Sequence, residues 1–301
     1  MGFYLGLLQI IGVHTLLGLS AYIVLLTGQV TMAQAGFFAI GAYAAGICTV
    51  MFGLHILPAI LIGGLLAGAM ACLVGFPALR VKGLMLVVAT LAFGEMVRLF
   101  FFNFTWQVER DGVIVGPLGA EGFRRIRYFP ENGWTLEEIT IFIWVVVVLV
   151  MLALWWIDRS RAGAALRAVG QDETAAQSVG LNLTVVKVSA MTIGGFIAGM
   201  GGSIYAHTTT SVEHLIFSVV LATFAIAYPI LGGLSHVLGT LLAVVFVQVF
   251  LVEVLRFMGD WRNVLFGALI VLVMNLRPHG FLGEQPAQLF RRRKEAEHAR
   301  T

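Results

Sequence analysis

Glu95 and Arg98 are the only charges in the run 84–104. Residues three apart share one face of a helix. A lone charge at mid-membrane costs roughly 2.5–3.5 kcal/mol on insertion scales, so such groups turn towards protein or water. The pair either lines or gates a pathway, or neutralises itself and fixes helix packing. Glu253 and Arg256 repeat the spacing near a span end, where long side chains reach the interface. A second group is the stretch Gly28-Gln29-Val30-Thr31-Met32-Ala33-Gln34-Ala35-Gly36, which breaks an apolar run with amides, a hydroxyl and glycines. Non-helical backbone at membrane depth persists only where protein or water satisfies it. Transporters break helices in this way at substrate sites, although the same residues would also make a turn between two spans. Gln29, Thr31, Gln34 and Phe37, with Glu95 and Arg98, are the candidates for a translocation pathway.

Several chemistries have no support. The chain has three lysines, Lys82, Lys187 and Lys294, and none follows a glycine, so the phosphate loop G-x-x-x-x-G-K-[ST] is missing. No H-E-x-x-H or Cys/His cluster provides a metal site. Cys48 and Cys72 lie in apolar runs and read as small membrane thiols. No G-x-S-x-G elbow is present. The sequence predicts no enzyme, no catalytic residue, no metal and no cofactor; the chain cannot bind ATP by a phosphate loop, and an intramembrane enzyme would have no visible catalytic constellation.

Composition sets the frame for these residues. Hydrophobic residues make up 59% of the 301 and charged residues 12%, against about 25% charged in a soluble domain. Too few charges remain to coat a globule of this size. The net charge of +3 is no evidence for a nucleic-acid partner. An all-α integral membrane protein is expected, a polytopic bundle of about 8–10 transmembrane helices in one domain, 1–301. Residues 1–79 carry no Asp, Glu, Lys or Arg and lack the basic start of a cleaved signal peptide.

Apolar runs place spans at 4–26, 31–53, 56–76, 84–104, 139–157, 187–207, 215–232, 235–256 and 262–276. No strands are expected, because the runs are too long and lack barrel alternation. Twelve of the nineteen Lys and Arg fall in 77–83, 158–187 and 277–301, which helix parity puts on one side. The positive-inside rule makes that side cytoplasmic. The loop 105–138 is then external, and the coupling loop 158–186 and the basic tail 277–301 are cytoplasmic. Small residues at Gly194, Ala198 and Gly202, and at Gly195, Gly199 and Ser203, give the run 187–207 two close-packing faces. Gly63, Ala67 and Ala71 do the same for the third span.

The cytoplasmic stretch 158–186 predicts two short amphipathic helices divided near Gly170. Asp172 and Glu173 suit the positive end of the second. Ala175 and Ala176 leave it slim, and Gly180 suits a C-terminal cap. Such a helix fits a partner's groove, and a solvated loop is the plainer alternative.

This segment resembles the coupling loop of ABC-importer permeases, with Glu173, Ala175, Ala176 and Gly180 matching its Glu-Ala-Ala…Gly pattern around an intervening Thr174. Its surroundings are similar to LivM-type permeases of branched-chain amino-acid ABC transporters. The likeness rests on Gly28-Gln29 with Phe37 and Gly41-Ala42-Tyr43, on Thr90 to Glu95 with Arg98, on Arg167 to Gly180, on Leu231-Gly232-Gly233-Leu234 and on Arg277-Pro278 with Gly280. Thr31, Ala33 and Gln34 stand where the family usually has Ser, Gly and His. The resemblance implies a multi-pass subunit in the bacterial inner membrane, with its C-terminus cytoplasmic. It implies a LivH-like permease partner, two cytoplasmic ATPase subunits and a periplasmic substrate-binding protein. Asp172, Glu173, Ala175, Ala176 and Gly180 would couple to the ATPases. A carrier driven by an ion gradient through Glu95 or His14, and a lipid-modifying enzyme built around Arg124, Arg125 and Arg127, are the rival readings.

Overall fold

The computed structural model describes residues 2–78, 81, 83–110 and 113–250, with 264, 265, 267, 268, 271, 272, 275, 280 and 281. Most of the expected span 262–276, most of the tail 277–301, and Arg80, Lys82, Glu253 and Arg256 lie outside the described residues.

Eleven α-helices follow in order among the described residues: α1 (Gly2–Leu25), α2 (Gln34–Val50), α3 (Ile56–Ala78), α4 (Leu84–Asn103), α5 (Tyr128–Glu131), α6 (Leu136–Arg159), α7 (Arg161–Gln171), α8 (Glu173–Ser178), α9 (Leu183–Thr209), α10 (Val219–Gly232) and α11 (Val237–Val249). Five of them, α1, α3, α4, α6 and α9, are long and apolar enough to cross a bilayer. The fold is the polytopic helical bundle that the composition predicts.

Three features differ in detail from the sequence reading. First, α2 begins at Gln34, three residues later than the expected span, because the chain re-enters the bundle as irregular backbone. Second, α10 is short and is bent by 119° from α11 at residues 233–236, and α11 is described as far as Val249. The sequence reads the runs 215–232 and 235–256 without this bend; Gly233, at a φ of +88°, lets the chain turn sharply. Third, the external loop is not strand-free. It holds β1 (Val108–Arg110), β2 (Val113–Pro117) and β3 (Phe123–Arg124), and β4 (Ser211–Val212) joins from beyond α9 in an antiparallel order β1-β2-β3-β4. Strands of two to five residues are too short for alternation to register.

The α9 helix sits at the centre and packs on α1, α2 and α3. Its small residues permit this. A β-carbon on Gly194 would lie 2.6 Å from the Ser20 carbonyl oxygen of α1, and one on Gly202 would lie 1.9 Å from the Phe38 carbonyl oxygen of α2. One on Gly195 would meet the Ala71 methyl of α3 at 2.3 Å. The two faces read from the sequence are thus two backbone-close seams. The outward faces carry exposed Leu57, Leu61 and Leu65 on α3 and Val145, Val148 and Leu152 on α6.

Sidedness follows from the contacts. Pairing of β3 with β4 puts 211–212 on the same face as the loop 105–138. On the opposite face, Gly28 lies against Gly170, the Tyr22 hydroxyl donates to the Leu234 carbonyl oxygen at 3.4 Å, and the Phe281 amide donates to the Leu231 carbonyl oxygen at 2.8 Å. The glycine-rich break at 231–234 and Gly280, far apart in sequence, are brought together there.

Candidate functional site

Two sets of candidate residues meet on that second face. The first is the short-helix pair. Ser160 caps α7 through the Ala162 amide at 3.2 Å, and Gly163, Leu166 and Val169 form its buried face. Arg167 of α7 is ion-paired with Asp158 at the end of α6. The break between the helices falls at Asp172. Its carboxylate accepts from the Thr174 hydroxyl and amide, both at 2.8 Å, and from the Ala175 amide at 3.1 Å. Those bonds, the Thr174 hydroxyl first, hold the Asp172 carboxyl below its usual range.

Gly180 closes α8. Its φ of +88° is left-handed. Its amide donates to the Gln177 carbonyl oxygen at 3.0 Å, and the Leu181 amide donates to that of Ala176 at 3.1 Å. This is the paired Schellman pattern. The slim face is divided: Ala175 is exposed, whereas Ala176 is buried against its own chain. Val179, 76% exposed, extends the outward side.

Glu173 points back into the protein. Its carboxylate pairs with the Lys187 ammonium at 2.6 Å. Lys187 is buried near the start of α9, so the bond ties α8 to the central helix. Spacing alone did not reveal this partner. The signal was available: Lys187 is the one charge in an apolar run and requires an anion.

The second set is the re-entrant segment. α1 ends in a turn at 26–28, and residues 29–33 then run without helix. Gln29, Thr31 and Gln34 are buried. The Met32 amide donates to the Thr90 hydroxyl at 2.9 Å, and the Gln34 side-chain amide donates to the Ser20 carbonyl oxygen at 3.4 Å. Thr90 lies six residues into α4 and Ser20 five residues from the end of α1, about 8–9 Å deep at 1.5 Å per residue. The segment is thus a turn at 26–28 followed by irregular backbone at 29–33 whose polar groups bond in part to protein. The Gln34 carbonyl Oε1 is buried and has no hydrogen-bond partner among the described residues.

Phe37 is fully buried against Phe93, with ring centroids 5.2 Å apart. Glu95 and Arg98 pair at 2.7 Å and stay partly exposed, at 32% and 22%. Glu95 shares a narrow cleft between α4 and the start of α10 with Met32, Ala35 and Ser218. Of the pathway candidates, Arg98 pairs with Glu95 and Phe37 packs on Phe93, both on α4, whereas Gln34 bonds to α1. Gln29 also lines a cavity of about 310 Å³ that reaches Glu173 and Lys187.

The sets touch directly. A β-carbon on Gly170 would lie 2.2 Å from the Leu26 carbonyl oxygen and 3.1 Å from the Gly28 nitrogen. His14, considered as an ion site, is hydrogen-bonded to the Tyr228 hydroxyl at 2.9 Å. No group of three His, Cys, Asp or Glu suited to a metal occurs among the described residues.

Membrane-spanning helices, a re-entrant segment at depth and capped short helices standing on one face define the class as a membrane permease. The family described as branched-chain amino acid transport system, permease component, matches residues 3–274. The high-affinity branched-chain amino acid transport system permease proteins LivM of Salmonella typhimurium and Escherichia coli are each 32% identical to this chain, over 92% of it and 69% of their own length. The fructose import permease protein FrcC of Rhizobium meliloti is 27% identical over half of the chain and 44% of its own length. No solved structure is a significant match. The chain belongs to the branched-chain amino acid transport permease family and is a permease subunit of the ABC-importer type.

Proposed function

We propose that this chain forms part of the membrane channel of an ATP-driven importer in a bacterial inner membrane, carrying branched-chain or chemically related amino acids. The observation that supports the reading best is the contact of Gly170 with Leu26 and Gly28. It connects the exposed helices α7 and α8 to the buried irregular segment without an intervening side chain. Force applied to α8 from outside the membrane therefore reaches the segment that holds Gln29, Thr31 and Gln34.

In this mechanism two cytoplasmic ATPase subunits bind the ATP and grip α8. Ala175 and Val179 face their groove. Asp172 and Gly180 set the ends of α8, Ala176 seats it, and Glu173 fastens it to α9. A second, LivH-like permease completes the channel, and a periplasmic binding protein delivers substrate to the face bearing the loop 105–138. The C-terminus lies on the cytoplasmic side. Gln29, Thr31, Gln34, Phe37, Glu95 and Arg98 line or support the route, and lipid surrounds the outer faces. The bundle rocks between outward-open and inward-open states.

The test is purification of the tagged chain from native membranes in mild detergent, followed by identification of its partners and reconstitution. The reading expects a second permease, two phosphate-loop ATPases and vanadate-sensitive, ATP-dependent uptake of leucine. A solitary chain whose uptake collapses with an uncoupler and ignores ATP would overturn it in favour of an ion-gradient carrier.

A further inference from the structure

The face bearing β1–β4 carries a cavity of about 690 Å³ that none of the residues above uses. Its walls come from the end of α2, the α2–α3 turn, β2 and the segment around α5. Arg125, Arg127 and Glu131 line it, together with the apolar Val50, Leu54 and Val115. None of the three charged side chains forms an ion pair with another described residue, although both signs stand around one cavity.

The backbone presents the two arginines to one cavity. Ile126 between them is fully buried, and its amide donates to the Thr210 carbonyl oxygen at 2.9 Å. Arg125 itself has a φ of +67°, left-handed for a residue with a side chain. Strained backbone of this sort persists where the surroundings over-determine it, and it gathers at binding sites. The cavity floor is polar: the Thr49 hydroxyl lies 2.9 Å from the Nε2 of the buried His207. His207 Nδ1 donates to the Ser203 carbonyl oxygen at 2.7 Å, which leaves Nε2 to accept from Thr49.

We infer that this cavity is an external capture site for a zwitterionic α-amino acid with an aliphatic side chain. Arg125 and Arg127 receive the carboxylate, for which guanidinium forks are matched. Glu131 receives the ammonium, and Val50, Leu54 and Val115 cover the aliphatic group. The volume falls in the range of small-molecule sites and leaves room for water, so affinity is weak, as a hand-over site requires. The inference rests on the amino-acid reading above but assigns its own residues.

The test uses the permease in nanodiscs with its native membrane partners and without any binding protein. Saturation-transfer NMR is recorded with leucine, with 4-methylpentanoate, which lacks the ammonium, and with 3-methylbutylamine, which lacks the carboxylate. Leucine binding is expected to weaken about tenfold in Arg127→Gln and in Arg125→Asn, the latter keeping a side chain that tolerates left-handed backbone. 3-Methylbutylamine should ignore both changes and weaken in Glu131→Gln. Unchanged leucine binding in all three variants, in protein that elutes as wild type, overturns the inference. So does a separate docking measurement, with soluble binding protein added, in which the arginine variants lose only that docking, because the carboxylate would then be a protein's own. ATP-dependent uptake is measured in parallel in proteoliposomes of the same complex, with its binding protein added. Uptake of leucine with no variant-sensitive binding overturns the site alone. Variant-sensitive binding without amino-acid uptake supports the site and overturns the substrate reading.

Discussion

Gly170 lies so close to Leu26 that a single added methyl at 170 would overlap the Leu26 carbonyl oxygen at 2.2 Å. Both partners in this contact are backbone, so neither can swing aside. Gly170→Ala should therefore displace α7 from the turn at 26–28 without touching the exposed side of α8 at Ala175 and Val179. The expected result is a complex that assembles and hydrolyses ATP but imports roughly tenfold more slowly, equivalent to about 1.4 kcal/mol in the transport barrier. Uptake and ATP hydrolysis measured on one preparation check this. Parallel loss of both would mean that the contact serves assembly instead.

Glu173 and Lys187 should behave as a coupled pair. Removing one partner leaves the other charge in a partly or wholly buried place, which costs more than removing both. Glu173 is about one-third exposed, so water screens part of the loss. Glu173→Gln and Lys187→Met should each lower the yield of folded protein, and the double variant should recover most of it. A double-mutant cycle on thermal stability reads the coupling. Additive effects would show that α8 is fastened by something other than this bond.

Much of this arrangement was legible in the sequence. The small-residue faces of α9 could be read because a four-residue repeat reports directly on one helical face. The α7–α8 pair could be read because Asp172 and Gly180 carry the types that helix ends demand. The α10–α11 bend was not legible. Hydropathy measures how apolar a run is and not its direction, so a 119° turn at Gly232-Gly233 leaves the profile intact. The strand Ser211–Val212 was equally hidden, because its partner Phe123–Arg124 lies nearly ninety residues away. A separation of more than seventy residues likewise conceals the cavity at Arg125 and Arg127, which needs Val50 and Leu54 beside it.

Glu95 and Arg98 admit two roles that substitution can separate. If the pair only fixes packing, Glu95→Gln with Arg98→Gln removes both charges and should restore transport together with stability. If Glu95 lines the cleft with Met32 and Ser218, the double variant should be stable yet remain about tenfold slower, roughly 1.4 kcal/mol in the barrier. Uptake per folded complex distinguishes the two. The shared cleft leads us to expect the second result.

The Gly202 seam tests the centre of the bundle. A β-carbon there would lie 1.9 Å from the Phe38 carbonyl oxygen, so α9 and α2 must separate to admit one. Overpacking of this kind typically costs 1–3 kcal/mol. Gly202→Val should lower the thermal midpoint by roughly 2–5 °C. A matching change at Gly180 meets open space, so any loss of stability there comes from its left-handed φ alone and not from overlap.

Asp172 gives a prediction with a sign in pH. Its carboxyl is held below the ordinary range by Thr174 and the first amides of α8, so the ionised form stabilises the cap. That contribution is present above the unfolded carboxyl pKa, about 3.9, and is lost as pH falls through the lower folded value. Near neutral pH the cap should therefore be insensitive to pH, and acidification to about 5 should not release α8. Asp172→Asn keeps an acceptor for the Ala175 amide and should couple nearly as wild type, whereas Asp172→Ala removes it and should uncouple ATP hydrolysis from uptake. ATPase stimulation by substrate, measured at pH 5 and pH 7 for the three proteins, checks both statements. Equal coupling in Asp172→Ala and wild type would show that the start of α8 needs no cap.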